Sequence, residues 1–298
     1  MTTEVTSDII ETNGVLVGPY LRPRNLAQHQ RGSIHDDAMA QRLGFRGGTV
    51  AGSIHMEQFP PILLRAFGER WFETGTLSTY FRNATTDGEP VRTLAQAPAG
   101  ADADAQIRVW MEKEDGTTVL EGTASIGNPI ERSMLHEKLA EPRERGELRI
   151  LSHLAPGFVS PTVIARLDPA DIAPRLAALT APLPWYEGAS PWGAAIANPG
   201  LMVHLMVAVQ DGLELGRNPA VGLYGAIEVR QISGPVFIDH EYDVTGTILA
   251  VGTTPKTEYV WYQSALREPG TGTDVASMLM MLRFMKASSK LWLDSPDA

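Results

Sequence analysis

The stretch RGSIHDDAMAQRLGFRGGTVAGSIH, Arg31 to His55, sets a histidine and two aspartates ahead of a short amphipathic run. That run ends in Gly44-Phe45, and Gly47-Gly48 then lead into an apolar segment. Aspartate before Ala38–Leu43 is an N-cap signal, because its carboxylate accepts from amides that lack helical partners. The residue read as the cap is Asp37, with Asp36 solvated or available as a carboxylate beside His35. Gly44 suits the left-handed position that ends such a helix. Further on, Phe59, Ile62, Leu63, Ala66 and Phe67 share one helical face. Pro60 and Pro61 lack the N–H a helix interior needs, so this helix should kink or split near Phe59.

Outward from this helix the chain repeats itself. Gly47–Gly68 precedes TLSTYFRNATTDGEPVRTLAQ, and Pro191–Gly216 precedes GLYGAIEVRQISGPVFIDHEYDVTGTIL. Each half then closes with two further alternating segments joined by a Gly-bearing turn. Ala97–Gln106 reads as a loop between strands, and the charged, Pro-bounded Asn128–Gly157 as a connector with a short helix. The expected class is α+β: a helix against an antiparallel sheet, given twice.

Composition narrows the chemistry. The 298 residues carry a formal charge of −10, which argues against nucleic-acid or anionic-membrane partners. There is no cysteine, so disulfides, thiolate metal sites and thiol nucleophiles are excluded. No apolar run approaches the ~20 residues of a membrane helix. The polar, acidic start MTTEVTSDIIETNG reads as neither signal nor transit peptide, so a cytoplasmic location is expected. The histidines 153, 204 and 240 are scattered and form no metal-ligand spacing, and no metal is expected.

The quoted stretch resembles the MaoC-like hydratases and dehydratases of the hotdog superfamily. That family carries Asn-Pro-x-His-x-Asp, a short helix ending in Gly-Phe, and Ala-His-Gly opening a long central helix. Here the matching residues are Gly32-Ser33-Ile34-His35-Asp36-Asp37, Ala38–Phe45 and Val50-Ala51-Gly52. Gly-Ser replaces Asn-Pro, and Ala51 replaces the second histidine. The order of helix and strands extends the likeness over roughly residues 15–125. The second half resembles a hotdog without the motif, so the resemblance implies a double hotdog, each repeat a long helix wrapped by an antiparallel sheet. The expected division is a motif-bearing hotdog at 1–130, a connector at 131–157 and a second hotdog at 158–298.

The resemblance also assigns the site. His35 is the acid/base, since imidazole titrates near neutrality. The family places an aspartate five residues before it; this chain has Gln30, which can orient water but not take its proton. Gly52, with an N–H free at the helix start, fits the role of polarising the substrate carbonyl. Arg31, Ser53 and His55 are candidate substrate-binding residues, with Ser53 also readable as an N-cap and His55 as a core histidine. Arg22, Arg24, Arg31, Arg42 and Arg46 form a local basic bias, read either as a phosphate-holding face or as a solvated one. The aromatic segment Pro182–Gly193 lines a substrate tunnel or packs the two repeats together, and Met278, Met280 and Met281 read as core.

The implied function is a hydro-lyase on an α,β-unsaturated or 3-hydroxyacyl compound, a thioester in the first instance. No cofactor is implied beyond coenzyme A or pantetheine as part of the substrate, and a homodimer is compatible with the fold. Two alternatives stand beside it: a redeployed hotdog dehydratase, cyclase or isomerase on a natural-product intermediate free of coenzyme A, and a non-catalytic binding or assembly subunit.

Overall fold

The computed structural model describes residues 6–100, 104–141, 145–188 and 190–293. The acidic first residues, the tip of the 97–106 loop, part of the connector and Ala189 in the aromatic segment lie outside it. Among the described residues eleven strands form one antiparallel sheet, ordered β1-β2-β4-β5-β6-β3-β8-β11-β10-β9-β7. The first repeat supplies β1 (Ile10–Thr12), β2 (Val15–Val17), β3 (Gly75–Phe81), β4 (Val91–Gln96), β5 (Ala105–Lys113) and β6 (Thr118–Ile126). The second supplies β7 (Val163–Arg166), β8 (Gly222–Gln231), β9 (Glu241–Thr253), β10 (Thr257–Arg267) and β11 (Asp274–Met285).

From the centre outward the two halves read alike: β3-β6-β5-β4-β2 on one side and β8-β11-β10-β9-β7 on the other. They are joined where β3 pairs with β8, in the register Thr76↔Arg230 through Tyr80↔Ala226. Thr79 Oγ1 adds a hydrogen bond to the Ile227 carbonyl across that seam, 2.9 Å. Joining two otherwise exposed strand edges removes a liability for both repeats. The β1–β2 hairpin had a legible signal, Asn13-Gly14, whose φ values of 52° and 74° are those a tight hairpin turn demands.

The helices are α1 (Asp37–Arg42), α2 (Gly52–Met56), α3 (Pro60–Phe67), α4 (Trp71–Thr74), α5 (Met134–Ala140), α6 (Pro169–Ala177), α7 (Pro199–Met206) and α8 (Lys290–Leu293). The expected long central helix of the first repeat is broken into α2 and α3. Pro60 and Pro61 supply no N–H to continue the ladder, so the chain restarts with Phe59 as N-cap. In the second repeat α7 runs only to Met206 before tightening into a 3₁₀ turn at Val207–Val209. Both central helices pack against the sheet and are largely buried. Phe59, Ile62 and Leu63 from one and Leu201, Val203 and Met206 from the other are at most 1% exposed. Each such side chain contributes about 1.5–3 kcal/mol by leaving water.

The aromatic segment packs the repeats together rather than lining a tunnel. Trp185 lies edge-on to Phe72 and to Trp192, with centroids 5.6 Å apart in each case, and Trp192 Nε1 donates to Glu73. Met278, Met280 and Met281 are core, as their run implied.

Candidate active site

The segment bearing His35 is held by its own polar side chains. Ser33 Oγ donates to the Gln30 carbonyl at 2.7 Å and accepts from the His35 amide at 3.2 Å. The N-cap of α1 is Asp36, not Asp37: Asp36 has extended backbone angles and its carboxylate accepts from the amides of Ala38 and Gly32. Asp37 begins the helix itself and turns its carboxylate to the Gly48 amide, 2.6 Å away. Both aspartates are thus spent on backbone amides: Asp36 closes the turn at 32–38, and Asp37 fastens it to Gly48. Gly44 has φ +88° just past the end of α1, as its position implied.

That fastening sets the chemistry of His35. Its Nδ1 lies 2.7 Å from the Thr49 carbonyl. A carbonyl only accepts, so Nδ1 carries the proton and the neutral ring keeps its lone pair on Nε2. Asn25 Nδ2 holds the His35 carbonyl at 2.8 Å, and Thr49 returns its amide to the Ile34 carbonyl at 2.9 Å. No carboxylate among the described residues hydrogen-bonds the imidazole; a backbone carbonyl stands where a dyad partner was sought.

His35 is half-buried on the wall of a cavity of about 570 Å³. Gln30, Gly52 and His55 line the same cavity, so four of the six residues picked from sequence converge there. Arg31 and Ser53 do not. Arg31 is exposed outside the lining, and Ser53 is buried with its Oγ accepting from Arg175 Nη2 at 3.2 Å. Ser53 is not an N-cap either; Ala51 holds that position, without a side-chain bond. Gly52 is the first residue of α2, so its N–H has no carbonyl to reach within the helix. The Phe81 ring stands end-on against it: a Cβ on Gly52 would lie 2.5 Å from Phe81 Cζ.

His55 is satisfied on both nitrogens. Gln58 Nε2 approaches Nδ1 at 3.4 Å, and Nε2 lies 2.8 Å from Thr85 Oγ1. Burial, with the nearby Lys113 cation, pushes its pKa down to about 4. The arginines of the first 46 residues are largely tied to the turn at 87–89. Arg24 pairs with Asp87 at 2.9 Å, Arg46 pairs with Glu89, and Arg22 donates to the Gly88 carbonyl.

The second repeat supplies the rest of the wall, which sequence reasoning missed. Tyr224, Gln210, Asp211 and Arg283 all line the cavity. Burial pushes the Tyr224 phenol up, and Gln210 Nε2 donates to Tyr262 Oη at 2.8 Å. No motif marks these residues; only the β3–β8 seam brings them opposite His35. Among the described residues, no group of three or more His, Asp or Glu side chains is arranged to hold a metal ion. No described helix is long and apolar enough to cross a membrane.

No family model matches the sequence, and no curated protein matches it. Solved structures do match in fold. A Chloroflexus aurantiacus protein described as a MaoC domain dehydratase aligns at 12% identity with a TM-score of 0.60, covering 93% of this chain and 96% of its own. A Mycobacterium tuberculosis protein described as a double hotdog aligns at 15% identity and TM-score 0.57, covering 94% and 98%. A MaoC-like dehydratase aligns at 15% identity and TM-score 0.51, covering 95% and 100%. Matched over 93, 95 and 94% of its length by these structures and built of two repeats of the same strand order, the chain has a double-hotdog fold.

Proposed function

We propose that the chain is a hydro-lyase that adds water to, or removes it from, an α,β-unsaturated or 3-hydroxyacyl compound, in the first instance a thioester. The observation that carries this reading is the His35 tautomer. Its proton is fixed on Nδ1 by the Thr49 carbonyl, which leaves the Nε2 lone pair free on a residue that lines one cavity with Gln30 and the helix-opening Gly52. In the hydration direction, Nε2 takes a proton from water as the oxygen bonds to the β-carbon. The resulting enolate oxygen is stabilised by the Gly52 N–H, and the imidazolium returns the proton to the α-carbon. The Gln30 amide orients the water through hydrogen bonds. His55, neutral at physiological pH, is a hydrogen-bonded support of the cavity wall rather than an acid or base.

Steady-state hydration of crotonyl-coenzyme A and longer enoyl-coenzyme A substrates tests the proposal. Loss of a general acid/base costs about 10²–10⁴ in rate, so His35→Asn should lose turnover by that factor with folding intact. Unchanged turnover in His35→Asn overturns the mechanism. Gln30→Asp, which installs a proton-accepting carboxylate, should raise hydration of the same substrates. If no enoyl-coenzyme A is turned over by either protein, a substrate free of coenzyme A or a binding role takes precedence.

A further inference from the structure

The cavity contains a cation that no carboxylate answers. Arg283 sits on β11 and lines the cavity from the second repeat. Among the described residues it forms no ion pair, whereas Arg82, which lines the cavity from the first repeat, is paired with Glu121. Arg283 Nη2 donates to Tyr80 Oη at 2.7 Å, and its Nε is buried without any partner. That leaves Nη1 and Nε unused on a half-buried guanidinium. A buried donor on a charged group costs free energy until an acceptor reaches it.

The backbone makes room for this arrangement. The β8–β11 register slips between Met281 and Leu282, which leaves Gly225 as the extra residue on β8 between Tyr224 and Ala226. A Cβ at Gly225 would lie 2.6 Å from Arg283 Nε and 2.5 Å from Met281 Cε. Glycine at this bulge therefore lets the arginine cross β8 to reach Tyr80 on β3. Tyr80 in turn has the Arg82, Lys138 and Arg283 cations at 4.7, 4.6 and 5.6 Å from its ring centroid. Of these cations Arg82 is answered by Glu121 and Lys138 lies outside the cavity lining, so Arg283 is the one that lines the cavity without an ion pair among the described residues.

We propose that Arg283 binds a carboxylate carried by the substrate, so that the natural substrate is an acyl compound with a second, free acid group. The inference rests on the cavity being the substrate site. One unpaired guanidinium matches one negative charge, and the exposed Asp211 at the rim disfavours a doubly charged phosphate. The planar fork of arginine suits a carboxylate in particular.

The test uses dicarboxylic acid monoamides of four, six and eight carbons, whose amide stands in for the thioester carbonyl. The corresponding neutral diamides and methyl phosphate are the controls. Binding is measured by calorimetry on the wild type, Arg283→Gln, Gly225→Ala and His35→Ala. At least one monoamide should bind the wild type about tenfold or more tightly than its diamide. Arg283→Gln should abolish that preference, and His35→Ala should retain it, which separates this inference from the His35 mechanism. Gly225→Ala displaces the guanidinium while keeping its charge and should lower the preference as well; it answers the question should Arg283→Gln not fold. No preference in the wild type, a preference that survives loss or displacement of Arg283, or Arg283-dependent binding of methyl phosphate alone overturns the proposal.

Discussion

Acidification should destabilise this protein through His55 more than through any exposed histidine. His55 is 3% exposed and neutral, with Nε2–H donated to Thr85 and Nδ1 receiving the Gln58 amide. Protonating it would bury a charge and set two donors, Nδ1–H and Gln58 Nε2, against each other. Its folded pKa is about 4, against an ordinary value of 6.5. The unfolded chain therefore binds the proton first, and stability is full above pH 6.5 and is lost as pH falls toward 4. A gap of that size corresponds to about 3 kcal/mol in all, of which about 2 kcal/mol is lost between pH 7.5 and pH 5. Urea unfolding followed by tryptophan fluorescence reads this directly. His55→Gln keeps a donor for Thr85 and removes the titration, so its free energy should fall less over the same interval, by about 2 kcal/mol. If wild type and His55→Gln lose stability in parallel from pH 7.5 to pH 5, the reasoning is wrong.

Two further tests address the repeat interface and the helix opening. Arg175 on α6 donates Nε to Glu57 Oε1 at 2.6 Å, and Glu57 is 3% exposed, so Arg175→Met leaves an unpaired buried carboxylate. Removing one partner of such a pair costs about 3–5 kcal/mol. Burial already raises the Glu57 pKa despite Arg175, so the loss should be larger at pH 8 than at pH 5, where the carboxyl can protonate. The double variant Glu57→Gln/Arg175→Met should recover most of the loss in denaturant titrations; an additive double variant argues against the pair. Gly52→Ala drives a methyl into Phe81 and should cost about 1–3 kcal/mol, with thermal unfolding of Gly52→Ala/Phe81→Leu showing rescue. Absence of rescue would show that the ring is not what the methyl meets.

The sequence by itself determined the duplication, the succession of a helix and alternating strands along each half, and the break at Pro60-Pro61. These follow from periodicity and from residues whose backbone chemistry is local: a proline lacks its N–H wherever it stands. It also determined that His35, Gln30 and Gly52 belong to one short segment, which the fold then folds back on itself against one cavity. Local spacing could not separate Asp36 from Asp37 as the cap, because adjacent carboxylates compete for the same amides and the winner depends on where Gly48 lies. Nor could it show that the partner of the imidazole is the Thr49 carbonyl, since backbone acceptors carry no side-chain signature. The second wall of the cavity was decided by tertiary structure alone. Tyr224 and Arg283 are ordinary strand residues until β3 pairs with β8 and the Gly225 bulge turns an arginine across the seam. Sequence fixes what each residue can donate or accept, and only the long-range strand pairing decides which of those groups face each other.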